Sequence, residues 1–178
     1  MFSNYAEQVN KRNSRFGRDF MNEKFFWNGL HGEGAHVDTA TVFDGLDWQQ
    51  AGQKAGNFPH SVWELLFHMN YWQNFMLDFL KGEVPKSGDP DAESWPAAAA
   101  PETEDEWDSA VAYYLKGLKE AEQEAGKELS EQVVAGREET RADCLQTIVL
   151  HNTYHAGQVV FARKIIGAWP PQRGGEAE

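Results

Sequence analysis

SVWELLFHMNYWQNFMLDFL, residues 61–80, decides the fold. Val62, Leu65, Leu66, Met69, Trp72, Phe75, Met76, Phe79 and Leu80 recur at three- and four-residue intervals, which makes one broad apolar helix face. Ser61 and Glu64 have capping-box spacing: the serine accepts from the amide of the fourth residue while the glutamate reaches back. Gly82 supplies a stop. On the inward stripe, between Leu65 and Trp72, lies His68. A neutral imidazole carries one donor and one acceptor, so an inward ring needs core partners or a bound ion.

The same punctuation recurs along the chain. Thr103-Glu104-Asp105-Glu106 opens a helix with Trp107, Val111, Tyr114, Leu115 and Leu118 inward, ending at Gly126. Thr140 and Asp143 open a last helix that carries Leu145, Ile148, Val149, Val159, Ala162, Ile165 and Ile166 and stops at Gly167, before Pro170 and Pro171. Phe2, Tyr5, Val9, Phe16, Phe20, Trp27 and Leu30 predict a long first helix to about His31. A short helical turn is expected over 39–46, then a loop to Pro59. Residues 82–102 hold four of the seven prolines and no amphipathic period, the mark of a long crossover loop. Residues 127–139 read as a polar connection with a short extended piece at 132–135. Four main helices with one long loop predict an all-α four-helix bundle, a single domain over 1–171, with a mobile tail over 172–178.

Composition narrows the function classes. A formal net charge of −12 argues against a nucleic-acid partner, because phosphate binding needs a basic face. Residues 83–131 alone hold 4 Lys/Arg against 14 Asp/Glu, the signature of a solvated helix face and an acidic loop. No run of about 18 apolar residues occurs and the first residues lack an apolar leader core, so no membrane partner and a cytoplasmic location are expected. The single cysteine, Cys144, rules out an internal disulfide; it falls on a buried helix face, where an inert packed thiol is expected.

His151 and His155 are four residues apart, so their rings lie one turn apart on one face, the stripe through Ile148, Val159 and Ala162. Across a helix pair about 10 Å apart, His68 reaches them. Three nitrogens leave a coordination position open for water or substrate. The competing reading is a polar core cluster in which the rings bond to Tyr71, Tyr154, Asn152 or backbone carbonyls. Imidazoles suit zinc, nickel, copper or iron alike. Asn152 stands where a zinc protease helix carries its glutamate base, so that chemistry is not expected. Glu64, one turn before His68, is the nearest candidate base or supporting carboxylate, with capping as its competing role. Gln158 continues the face of His151 and His155, towards bound solvent or in packing. His31, His36 and His60 flank loops or helix starts as exposed or capping groups, His36 near enough to line a pocket mouth.

At these residues the chain resembles the DinB/YfiT-like superfamily of metal-binding four-helix bundles. PHSVWELLFHMNYWQNFMLDF (59–79) resembles its second helix and HNTYHAGQVVFARKIIGAWPP (151–171) its last, with GEGAHV (32–37) and SWPAAAAPETEDEW (94–107) resembling one subgroup. The resemblance spans most of 27–171 and implies an up-down-down-up bundle, frequent homodimers, and nickel or zinc on His68, His151 and His155. It departs at Phe67 and Asn74, where the subgroup commonly has acidic residues. It implies a small-molecule substrate: some relatives transfer low-molecular-weight thiols such as bacillithiol, others isomerise or act on thiol adducts, and many have no assigned activity. A thiol-dependent transferase acting on small electrophiles is the expected activity. A metal-dependent hydrolase and a non-catalytic metal-binding stress-response dimer are the alternatives.

Overall fold

Glu64 N donates to Ser61 Oγ at 3.2 Å and Ser61 N donates to Glu64 Oε2 at 2.6 Å, closing the box that starts the central helix. The structure, a computed structural model, describes residues 23–86 and 88–171. The residues from Phe2 to Phe20 expected in the first helix, and the tail 172–178, lie outside the described residues. The helices are α1 (23–31), α2 (Trp48–Ala51), α3 (Val62–Leu80), α4 (Pro90–Glu93), α5 (Glu104–Ala125) and α6 (Arg141–Ile165), with a 3-10 turn at Thr39–Thr41. The chain is all-helical among the described residues, and none of these helices is long and apolar enough to cross a membrane.

Thr103 caps α5 through Glu106 N, and Thr140 and Asp143 form a complete box at α6. Several elements differ from expectation. The turn over 39–46 contracts to three residues of 3-10 helix. α2 forms inside the expected loop because Asp47 and Gln50 make a full capping box too short to carry an apolar period. α4 interrupts the crossover loop, capped by Asp89 with Pro90 at its first position. The extended piece at 132–135 is reduced to one isolated antiparallel bridge, Gln132 to Thr140. Leu115 is 38% exposed, because the buried stripe of α5 runs instead through Trp107, Tyr114, Gly117, Leu118, Ala121 and Ala125. Ile165 is 46% exposed, because Arg163 takes the inward place at this end of α6. Its guanidinium donates to the carbonyls of Val42, Asp44 and Ala168 and lies over the Trp169 ring, so the buried cation is fully engaged.

α3 packs against both α5 and α6. Two apolar clusters result, one around Leu65, Met69, Tyr114 and Val159, the other around Leu77, Leu118, Leu145 and Ile148. Between them in the chain order of all three helices lies a polar layer. Gln73, 1% exposed, donates to Tyr114 O at 2.9 Å and accepts from Asn152 Nδ2 at 2.8 Å. Asn70 Nδ2 donates to Ala110 O, one turn earlier on both α3 and α5, so these two helices run the same way. The pairing of His68 with His155 and of Gln73 with Asn152 shows that α6 runs opposite to α3. At the end of α1, His31 bridges Asp38 Oδ1 and Glu122 Oε1, each at 2.9 Å.

Gly117 makes room for the Gln73 amide. A Cβ there would lie 2.3 Å from Gln73 Nε2 and 3.3 Å from Leu77 Cδ1. Gly117→Ala is therefore expected to lower stability by about 1–3 kcal/mol in urea unfolding, since the amide can move aside only by giving up buried hydrogen bonds. A change within a few tenths would show that Gln73 swings away freely. For His31, burial opposes the charge, but the two carboxylates outweigh it and raise the pKa above the ordinary 6.5. Its contribution to stability is fully present below about pH 6.5 and lost as pH rises through the raised folded pKa. The stability gap between the parent and His31→Gln should narrow as pH rises above about 6.5; a gap that widens would refute the charged bridge.

Candidate metal centre

The antiparallel run of α3 and α6 sets His68 opposite His151 and His155. Ring centroids lie 5.0 Å apart for His68 and His151, 4.7 Å for His68 and His155, and 4.4 Å for His151 and His155. One ring nitrogen from each falls within 4.8 Å of the other two. Among the described residues no other histidines, cysteines or carboxylates converge in this way, and none joins these three. Nε2 of His68 faces Nε2 of His151 at 3.2 Å. Bonds of about 2.0–2.1 Å in a tetrahedral site put neighbouring ligand atoms about 3.3–3.4 Å apart, so this pair already has the spacing of a ligand edge. The third ring, that of His155, brings a nitrogen within 4.8 Å of both.

The site keeps its rings neutral. Burial, with the neighbouring His155, lowers the pKa of His68 to about 4; burial, with His155 and His68, lowers that of His151 to about 3. Burial also lowers that of His155, against the support of Gln158. Neutral imidazoles are the form that ligates a cation.

Gln158 has a definite role in this arrangement. Its Oε1 lies 2.7 Å from His155 Nδ1, so Nδ1–H donates and Nε2 keeps its lone pair for a ligand. The sequence leaves Gln158 between bound solvent and packing; the partner that its Oε1 takes is the His155 ring. Asn152, beside His151, donates instead to Gln73, which tethers the ligand turn of α6 to α3. Tyr71 OH donates to Glu93 Oε2, and Tyr154 is exposed and edge-on to His155. Trp95 was not legible as a site residue, for it stands in a Pro/Ala-rich stretch without periodicity. Its ring stacks on His68 at 4.1 Å and on His60 at 4.0 Å, while Trp72 stands edge-on to His68 at 6.4 Å.

The remaining candidates fall elsewhere. The Glu64 carboxylate is occupied by Ser61 N and by Lys54 Nζ at 2.5 Å. Burial opposes its charge, but Lys54 and Ser61 hold its pKa below the ordinary carboxylate value, which suits a cap better than a base. His60 is held on Trp95 outside the converging trio, and burial lowers its pKa. His36 donates from Nδ1 to Val37 O at 2.8 Å and lines a cavity between α1 and α6, with Phe25 and Leu150. Cys144 is buried; burial and the Asp143 and Glu139 carboxylates push its thiol pKa up, which keeps it protonated. Phe67 and Asn74 line a separate cavity between α3 and α5 that none of the three histidines lines.

Comparison with known proteins gives one match. Neither the curated proteins nor the solved structures searched contain a significant similarity. A family model for the DinB superfamily matches residues 33–159, which take in α2 to α5 and most of α6 with all three histidines. That match covers well over half of the sequence and agrees with the all-helical architecture, so the chain belongs to the DinB superfamily.

Proposed function

We propose that this chain is a metal-dependent enzyme, a thiol-dependent transferase acting on small electrophiles, with zinc or nickel held by His68, His151 and His155. One observation carries the reading: three neutral rings converge from two helices, and no further protein ligand joins them among the described residues. A divalent ion bound there supplies Lewis acidity, which lowers the pKa of a thiol or water in the open position. The protein does the rest. Gln158 fixes the tautomer of His155, and the Asn152–Gln73 link holds the pair His151 and His155 against His68. Trp72 and Trp95 give the site apolar walls suited to an uncharged electrophile.

Thiol transfer is favoured over hydrolysis because no carboxylate joins the trio among the described residues to take a proton from water. A thiol needs no such base once its proton has passed to solvent. Its sulfur then bonds to the electrophilic carbon while the leaving group departs with the bonding pair. Helices α1, α3, α5 and α6 are read as one up-down-down-up bundle, a single domain of a cytoplasmic protein. Support comes from the parallel run of α3 and α5 across the crossover and the reversed run of α6. The exposed Leu150, Tyr154 and Phe161 on α6 support a homodimer.

Elemental analysis after dialysis tests the ligand set. His155→Ala is expected to lose the bound equivalent with helicity intact, and Gln158→Leu to weaken metal affinity about 10–100-fold. One tight equivalent retained in His155→Ala would remove that residue from the site. For the reaction, metal-dependent displacement of chloride from monochlorobimane by a cellular thiol is expected. Silence across a panel of thiols and esters, in a protein that loses thermal stability without metal, would favour the stress-response dimer with a structural ion.

A further inference from the structure

Two orphaned atoms meet on the turn of α6 that carries His151. His151 Nδ1 and Asn152 Oδ1 are both buried, and neither has a hydrogen-bond partner. Buried polar atoms left unpaired are rare in native proteins, and these two belong to consecutive residues. Burial, His155 and His68 lower the pKa of His151, whereas the Asn152 side chain raises it: the amide lies near the ring, short of hydrogen-bond geometry.

The orientation of that amide is imposed from α5 through α3. A carbonyl only accepts, so Tyr114 O takes Nε2 of Gln73, at 2.9 Å. Gln73 thereby turns Oε1 towards α6, where it takes a donor, Asn152 Nδ2, at 2.8 Å. The oxygen of the Asn152 amide is what remains, and beside a neutral imidazole an amide oxygen accepts the ring N–H. We propose that Asn152, oriented by Gln73, is a positioning residue of the centre: it keeps the proton of His151 on Nδ1 and leaves the Nε2 lone pair facing His68.

The consequence reaches His68. Its Nε2 lies 3.2 Å from that of His151, a spacing at which two lone pairs repel, so without a cation His68 carries its proton on Nε2 and donates. Its buried, unpartnered Nδ1 is then a lone pair rather than a stranded N–H. When His68 ligates, the proton leaves Nε2 and one is taken up at Nδ1, with the Ser94 backbone beside the ring to accept it; the ring stays neutral. This exchange rests on the metal reading, whereas the tautomer of His151 is a property of the protein alone.

Proton–nitrogen correlation spectra of the histidine rings distinguish the tautomers in the full chain at neutral pH, freed of metal by chelator. His151 is expected as Nδ1–H and His68 as Nε2–H. Added zinc should move His68 to Nδ1–H and leave the His151 proton in place. Gln73→Leu/Asn152→Leu replaces both amides by apolar groups of similar shape, a change that buried pairs tolerate, so the circular dichroism should match the parent. In this variant His151 should pass to Nε2–H or a mixture. Its zinc affinity, read by competition with a chromophoric chelator, should fall about 10–100-fold. A link that only held the helices together would lower the affinity and leave the tautomer alone. His151 found as Nε2–H in the parent, or as pure Nδ1–H in the double variant, would overturn the proposal, and His68 unmoved by bound zinc would overturn the exchange. A parent that shows His151 as Nδ1–H yet binds no zinc would sink the ligand reading and leave the role of Asn152 standing.

Discussion

A single buried amide, that of Gln73, sets the relation between the three long helices on which the candidate centre stands. It spends its donor on the backbone of α5 and its acceptor on Asn152 of α6, in a layer between two apolar clusters. Apolar packing is nearly indifferent to sliding one helix along another by a fraction of a turn, whereas a directional amide pair is not. Because Asn152 neighbours His151 and lies three residues from His155, fixing Asn152 against Gln73 fixes where both rings meet α3. His68 lies five residues before Gln73 on α3, so the same link sets its distance from the pair. Gly117 belongs to this constraint, for only a residue without a side chain leaves the amide its place.

Electrostatics adds a second layer. Three imidazoles with centroids 4.4–5.0 Å apart cannot all hold protons in a buried setting, so the fold presents lone pairs rather than charges. The facing Nε2 atoms of His68 and His151 can share one proton or one cation, and Gln158 directs the remaining ring the same way by holding its Nδ1–H. The charged groups of the neighbourhood are used elsewhere: Glu64 closes a helix cap against Lys54, and Arg163 is consumed by three carbonyls, two of which, those of Val42 and Asp44, tie the end of α6 to the loop after the 3-10 turn. A centre made only of neutral donors, with acids turned outward, suits a soft nucleophile that arrives with its own acidic proton better than a water that must be deprotonated in place.

What was legible in the sequence follows from how far each signal reaches along the chain. The long helices could be read because caps and apolar periods are local: Ser61 with Glu64, Thr103 with Glu106, Thr140 with Asp143. The convergence of His68, His151 and His155 followed from two inward stripes meeting. Short elements escaped, since α2 and α4 have caps but are too short to show a period. The buried face of α5 was misplaced at Leu115 because small residues, Gly117 and Ala121, do the packing and carry no hydrophobic signal. Gln158 and Asn152 were visible as neighbours of the site, but their partners, a ring nitrogen and an amide some 79 residues away in the chain, are set by rotamers and tertiary packing.

Trp95 shows why topology and chemistry cannot be separated here. α3 and α5 run the same way, so the chain must travel back along the length of α3 before α5 begins, and a tight turn cannot do this. The return passes the end of α3 that carries His60 and His68, and it delivers Trp95 onto both rings. On His68 the stacked indole fixes the plane of the ring and shuts out solvent on that face, which lowers the local dielectric and deepens the preference for the neutral form. A bundle with α3 and α5 antiparallel could join them by a short hairpin and place the same histidines on the same stripe, but that face of His68 would lie open to water. The long crossover is thus a consequence of helix direction, and the covering of His68 is what the direction makes possible.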